Sequence, residues 1–143
     1  MRIHISRIGD DKAHYMSTGS TLKLHKNYLH VKLTHDYEVT PEGVERQWEE
    51  IFDICRKNNC RHVLIEGKIS KRSLKTMDAY ELAESLARSG LNLQLAFCFY
   101  GYTPDDISHL FVNVATNRGA RVKFFSNKSD ALIWLGTDTD KID

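Results

Sequence analysis

The sequence predicts a single α/β domain, in which an opening β-hairpin is followed by alternating helices and strands that form a mostly parallel sheet with helices packed on it. Three observations lead there. A chain of 143 residues suits one domain, and 41% hydrophobic with 27% charged residues is the balance of a chain that folds rather than of a disordered or fibrous one. The apolar residues run at a period of two before residue 35 and at three and four from Val44 onward. Both prolines, Pro41 and Pro104, stand between a threonine and an acidic residue, the composition of a helix start.

Residues 1–20 hold charged, glycine and serine positions with little periodicity beyond Ile3, Ile5 and Ile8, and read as a loosely attached arm outside the core. From Thr21 the pattern changes. Leu22 and Leu24, then Tyr28 to Thr34, alternate apolar with polar around Lys26 and Asn27, which predicts a hairpin. A helix over Thr40 to Asn58 follows, with Thr40 as cap and Val44, Trp48, Ile51, Phe52 and Cys55 on one buried face. His62 to Glu66 is a short β-rich run suited to a central strand. The next helix runs from about Thr76 to Ser89 and stops at Gly90, and Leu93 to Phe99 forms the next strand. Thr103-Pro104-Asp105-Asp106 repeats the start signal, with Ile107, Leu110, Phe111 and Val114 as core stripe and Gly119 as terminator. Arg121 to Phe125 is the last strand, and Lys128 to Leu135, behind Ser126 and Asn127 as candidate caps, is the closing helix. One domain thus spans residues 21–136, with a polar tail over 137–143 and no internal repeat.

Twenty basic against nineteen acidic side chains leave a net charge of +1, which argues against nucleic acid as a partner. No apolar stretch reaches the roughly 20 residues of a transmembrane helix. The N-terminal segment lacks the apolar core of a secretory signal, so the expected location is the cytoplasm, where Cys55, Cys60 and Cys98 stay as thiols. Cys55 and Cys98 read as core. Cys60, at a helix-to-strand turn, is either an exposed reactive thiol or, the preferred reading, a bystander.

The element order, together with HVLIEGKIS, KTMDAYELAESL and NVATNRGARVKFFSNKSDALIWL, resembles the SpoIIAA-like branch of the STAS (sulfate transporter and anti-sigma-factor antagonist) superfamily over residues 21–136. The resemblance implies a small α/β protein-binding switch, and the related lipid-transfer fold binds apolar ligands. In the anti-sigma antagonists a Met-Asp-Ser-Ser-Gly-Leu motif carries the phosphorylated serine. The matching stretch here is Met77-Asp78-Ala79-Tyr80-Glu81-Leu82, which keeps Asp78 but has Ala79 in the place of the acceptor. That departure argues against the family's phosphoswitch.

The most informative local feature is the connection from Lys68 to Thr76, in which Lys68, Lys71, Arg72 and Lys75 are interleaved with Ser70, Ser73 and Thr76 ahead of a helix. Cations and unpaired N–H groups at a positive helix end suit a phosphate or an acidic partner. The plainer reading has solvated charges, with Thr76 only capping its helix. Ser73 and Thr76 are candidate phosphorylation sites by position, since a phosphate on Ser73 would lie between Arg72 and Lys75. Tyr80, Tyr100 and Tyr102, at strand-to-helix connections, are candidates for the mouth of a binding site. Trp48, Phe52, Phe97, Phe99, Phe111, Phe124, Phe125 and Trp134 read as core in preference to the lining of a ligand cavity.

His25, His30 and His35 invite a metal reading, but a spacing of five alternates faces of an ideal strand, so no metal site and no cofactor is expected. An enzyme would have to draw on His109, Asp105, Asp106 or Asp78, and no catalytic motif joins them. The expected function is therefore a non-catalytic regulatory module. Its partner would be another protein or a second copy of the chain, at Lys68, Ser70, Lys71, Arg72, Ser73, Lys75, Thr76, Asp78, Tyr80, Tyr100 and Tyr102. The alternative is a domain binding an anionic or apolar small molecule at the same place.

Overall fold

The structure is a computed structural model that describes residues 19–34 and 37–137 together with the strand backbones at 4–8 and 12–17. Among the described residues there are nine strands and four helices: β1 (His4–Ile8), β2 (Lys12–Ser17), β3 (Ser20–Leu24), β4 (Leu29–Leu33), β5 (Tyr37–Val39), α1 (Pro41–Asn58), β6 (His62–Gly67), β7 (Ile69–Arg72), α2 (Thr76–Arg88), β8 (Gln94–Phe99), α3 (Asp106–Asn117), β9 (Arg121–Phe125) and α4 (Lys128–Leu135). The expected hairpin is β3–β4, and the expected alternation follows it. Residues 1–20, read as an arm, contribute β1, β2 and the first residue of β3 to the sheet.

The main sheet has the order β1-β2-β3-β4-β6-β8-β9. From β3 onward it is mostly parallel, since β4–β6, β6–β8 and β8–β9 pair in parallel and only β3–β4 is antiparallel. Each successive parallel strand joins the same edge. With right-handed crossovers, that order sends every connecting helix to one face. Accordingly α1, α2 and α3 pack Trp48, Ile51, Leu82, Leu86, Phe111 and Val114 onto Val31, Val63, Ile65, Leu95 and Phe97. Among the described residues no strand follows β9, and α4 covers the other face, packing Ala131, Leu132 and Leu135 on Leu64, Ala96 and Cys98. Because β6 and β8 are covered on both faces, every residue of β8 is buried.

Two strands absent from the sequence reading, β5 and β7, pair in parallel as a separate ribbon. The connection from Lys68 to Thr76, expected as an irregular loop, is therefore strand over four of its nine residues. The ribbon holds because Ser73 N–H donates to the Val39 carbonyl (2.8 Å) and Ser70 Oγ to the Tyr37 carbonyl (3.1 Å).

Helix starts follow the side chains that can accept orphan amides. Thr40 accepts from Gly43 N–H at 3.1 Å with Pro41 at the first helical position, as expected. Two expectations need correction. Thr76 does not cap α2: it is already helical, and the Asp78 carboxylate instead reaches back to the Lys75 N–H at 2.8 Å. In α3 the cap is Asp105, which accepts from Ser108 N–H at 3.1 Å, so Pro104 lies outside the helix. A carboxylate competes for these amides better than a threonine hydroxyl does, because the bond is charge-assisted and favoured by the helix dipole.

Candidate functional site

An apolar cavity of about 80 Å³ lies between the three-helix layer and the carboxyl ends of the parallel strands. The sheet supplies Leu33, Ile65, Phe97, Phe99 and Phe124 to it, and the helices supply Val44, Trp48, Ala79, Leu82 and Phe111. The β5–β7 ribbon closes it with Tyr37, Val39, Ile69 and Arg72. Aromatic rings dominate one wall. Phe97 stacks on Phe124 at 5.0 Å and meets Phe111 edge-on at 5.8 Å, while Trp48 stacks on Phe111 at 6.2 Å. These aromatics were expected as core, and they are core, but the packing stops short of filling the space between them.

One corner of the cavity is polar. Arg72 donates from Nη1 to the Tyr102 hydroxyl (2.6 Å) and to Asp105 Oδ1 (2.8 Å), and from Nη2 to Asp105 Oδ2 (2.5 Å). The Tyr102 and Ser108 hydroxyls are hydrogen-bonded to each other, and Ser108 is buried. The guanidinium holds the Asp105 carboxyl well below the usual carboxylate range, with burial opposing and the Ser108 amide assisting. The paired ends of α3 and β7 thereby latch the ribbon across the cavity. A bidentate pair fixes orientation as well as distance.

Of the residues singled out in the sequence, Arg72 and Tyr102 meet at this site. Ala79, in the stretch that suggested the resemblance, faces the cavity and is 1% exposed. The others do not converge there. Tyr80 lies on α2, where its hydroxyl accepts from Arg118 (2.9 Å) with the guanidinium 5.4 Å over its ring. Tyr100 is on the opposite side of the sheet, donating to Glu66. The two tyrosines flank Gly101 (φ 72°), and the turn there sends them to opposite faces. Lys68, Ser70, Lys71, Ser73, Lys75 and Thr76 are exposed on the outside, and Asp78 is half-buried at the α2 start. The anion site expected from these cations changes character accordingly. Arg72 is committed to Asp105, and the Lys75 amide to Asp78.

The far face carries a second polar cluster. Glu66 accepts from Tyr100 at 2.5 Å, bonds the His30 Nε2 at 2.5 Å and lies 3.9 Å from the Lys128 ammonium. The hydrogen bond with His30, followed by that from Tyr100, brings its carboxyl down to about 2 against the effect of burial. The rings of His25 and His30 approach to 6.1 Å, contrary to the face-alternation expectation. The bend at Lys26 and Asn27 breaks the strand between them, so an ideal-strand count does not apply. His35 lies outside the described residues. Among the described residues no three His, Cys, Asp or Glu side chains form a metal-sized group, and no helix is long and apolar enough to cross a membrane.

No protein-family model matches the chain, and no curated protein matches it either. The functional reading therefore rests on the chain's own geometry. Asp105, Ser108 and Gln47 line or latch the cavity without having been singled out for it. The signal that could have found Asp105 and Ser108 is D-x-x-S at a helix start directly after a strand, and it points to a cap rather than to a site.

Proposed function

We propose that this chain is a non-catalytic binding domain for a compact apolar molecule bearing one neutral polar group, held in the cavity beneath the β5–β7 ribbon. The observation that carries it is the unfilled apolar space at the carboxyl ends of the parallel strands, with hydroxyl and guanidinium groups gathered at one corner. Natural interiors are packed nearly without voids, so a space of this size has a packing cost that a ligand would offset. The carboxyl ends of the strands are also where open α/β sheets bind ligands. About 80 Å³ admits roughly five or more water-sized groups, which suits one ring or a short alkyl chain. Asp105 neutralises Arg72, which favours a hydroxyl or carbonyl group over a carboxylate at that corner.

Trp48 lines the cavity, so in a Trp134→Phe background, which removes the other tryptophan, its fluorescence is a direct probe. Titration with phenol and with 1-hexanol is expected to change Trp48 emission saturably, and Ala79→Leu, which extends a side chain into the space, is expected to abolish the change by at least about tenfold in affinity while holding or raising Tm by a few degrees. Unsaturable or absent responses with both probes, matched by no effect of Ala79→Leu, would overturn the reading.

The protein-docking module implied by the STAS resemblance is a second reading, supported by Met77, which is 64% exposed in the first turn of α2 beside Lys75. Native mass spectrometry of the chain isolated from its source cell separates the two. A retained small mass supports the cavity, whereas a stoichiometric protein with an empty cavity supports docking.

A further inference from the structure

The C-terminus of α1 brings two cysteines together by backbone geometry alone. Asn59 takes the left-handed conformation (φ 53°), and Cys60 N–H donates to the Cys55 carbonyl at 2.9 Å. This is the six-to-one bond of a Schellman motif, which places the side chain after the turn against the one three positions before the helix end. In most helices those two positions hold an apolar contact. Here they are Cys55, a member of the core cluster, and Cys60, packed against that cluster.

The two thiols differ in a way that suits division of labour. Cys55 is 1% exposed in the core, whereas Cys60 is half-buried and lines an open polar cavity of about 360 Å³. Lys26, Asn27, Asn58, Arg61 and His62 also line that cavity. The Cys60 Sγ is held 3.4 Å from the His62 carbonyl. An apolar contact alone would not need one sulfur facing an open polar cavity that Lys26 and Arg61 also line. Interaction with the neighbouring Cys55 thiol lowers the Cys60 thiol below its usual range, and the same interaction together with burial raises that of Cys55, so Cys60 ionises first. Cys98, at 0% exposure among the α4-face residues, belongs to neither feature.

We propose that Cys55 and Cys60 form a reversible redox pair, in which Cys60 reacts with a hydroperoxide and Cys55 resolves the product as an intramolecular disulfide. The Cys60 thiolate sulfur attacks one peroxide oxygen, and the O–O bond breaks. The sulfur is oxidised by two electrons to the sulfenic acid, and the departing oxygen takes a proton to leave as water or an alcohol. The Cys55 sulfur then attacks the Cys60 sulfur, the S–O bond breaks, and hydroxide leaves with the Cys55 proton as water. An external dithiol reverses the change by exchange and becomes a disulfide itself. This pair is independent of the ligand cavity, and its test stands apart from that reading.

The test is exposure of the full chain to hydrogen peroxide, followed by alkylation and tryptic mapping without reductant. Trypsin cleaves after Arg56 and Lys57, between the two cysteines, so the disulfide would appear as two joined peptides. The expected result is that linked pair, released by dithiothreitol, with Cys98 still a free thiol. In Cys55→Ser, Cys60 is expected to stop at a sulfenic acid trapped by dimedone. In Cys60→Ser, oxidation of Cys55 is expected to fall by at least about tenfold. Any of three outcomes in the unmutated chain would sink the proposal: Cys60 unreacted, Cys60 over-oxidised beside a free Cys55, or Cys60 bridged only to a second chain.

Discussion

Glu66 is the residue whose surroundings most change its chemistry. Its carboxylate lies among His30, Tyr100 and Lys128 on the α4 face, and hydrogen bonds from the first two bring it down to about 2 from an ordinary 4.5. A carboxyl depressed on folding contributes stability that is present above its unfolded value and lost as the pH falls through its folded one. The loss is therefore expected between about pH 4.5 and pH 2. Glu66→Gln should flatten the stability profile in that window and, near neutral pH, cost on the order of 2 kcal/mol as a charge-assisted bond is replaced. Urea melts of both chains across the window check this, and parallel profiles would refute it. The sequence did not reveal this cluster. His30 and Glu66 are 36 residues apart, and only the parallel pairing of β4 with β6 sets His30 beside Leu64, two residues before Glu66 and on the same face of the strand.

At the scale of elements, helix boundaries were mostly legible because caps are local. Thr40 and Asn127 accept from amides three residues on, and Gly90 and Gly119 donate to carbonyls three residues back. The misread starts, at Thr76 and Thr103, are those where an aspartate competes with a threonine nearby. The two kinds of cap differ in consequence. Thr40→Ala is expected to cost about 1 kcal/mol, the loss of one capping bond. Asp105→Ala removes a cap and also the partner of Arg72, and is expected to cost roughly twice as much, with the urea m-value unchanged. Equal losses from the two substitutions would show that the latch between α3 and the β5–β7 ribbon contributes nothing to stability. The ribbon itself was not legible: β5 is three residues long, and β7 is a polar segment with no alternating apolar face.

At the scale of the whole molecule, the passage of the chain from β6 in the main sheet to β7 in the separate ribbon runs through Gly67. A Cβ there would sit 2.7 Å from the Leu33 Cβ on neighbouring β4, a contact between backbone-fixed atoms that no rotamer change relieves. Gly67→Ala is therefore expected to destabilise by about 2 kcal/mol, within the range of overpacked cores, and to disturb the cavity wall to which Leu33 belongs. A thermal melt and the Trp48 titration measured together would test both parts. An unchanged Tm would mean that β4 and β6 can part at no cost.

The class of fold, the order of its main helices and strands and, on the buried face of α1, Trp48, Ile51 and Cys55 were settled by local sequence, because periodicity and capping act over three or four residues, whereas Gln47, Glu50 and Ile54 are buried there without having been expected. The pair of cysteines at the end of α1 belongs to the same scale: C-x-x-x-x-C across a helix stop is a local pattern, though it went unread. The cavity and the Arg72–Tyr102–Asp105 corner were decided only by tertiary structure. Strand order brings β7, β8 and α3 to one end of the sheet, and side chains thirty or more residues apart share a surface only after that order is made. Whether a core aromatic fills space or borders it depends on what the opposite layer presents, and no window of sequence contains both layers.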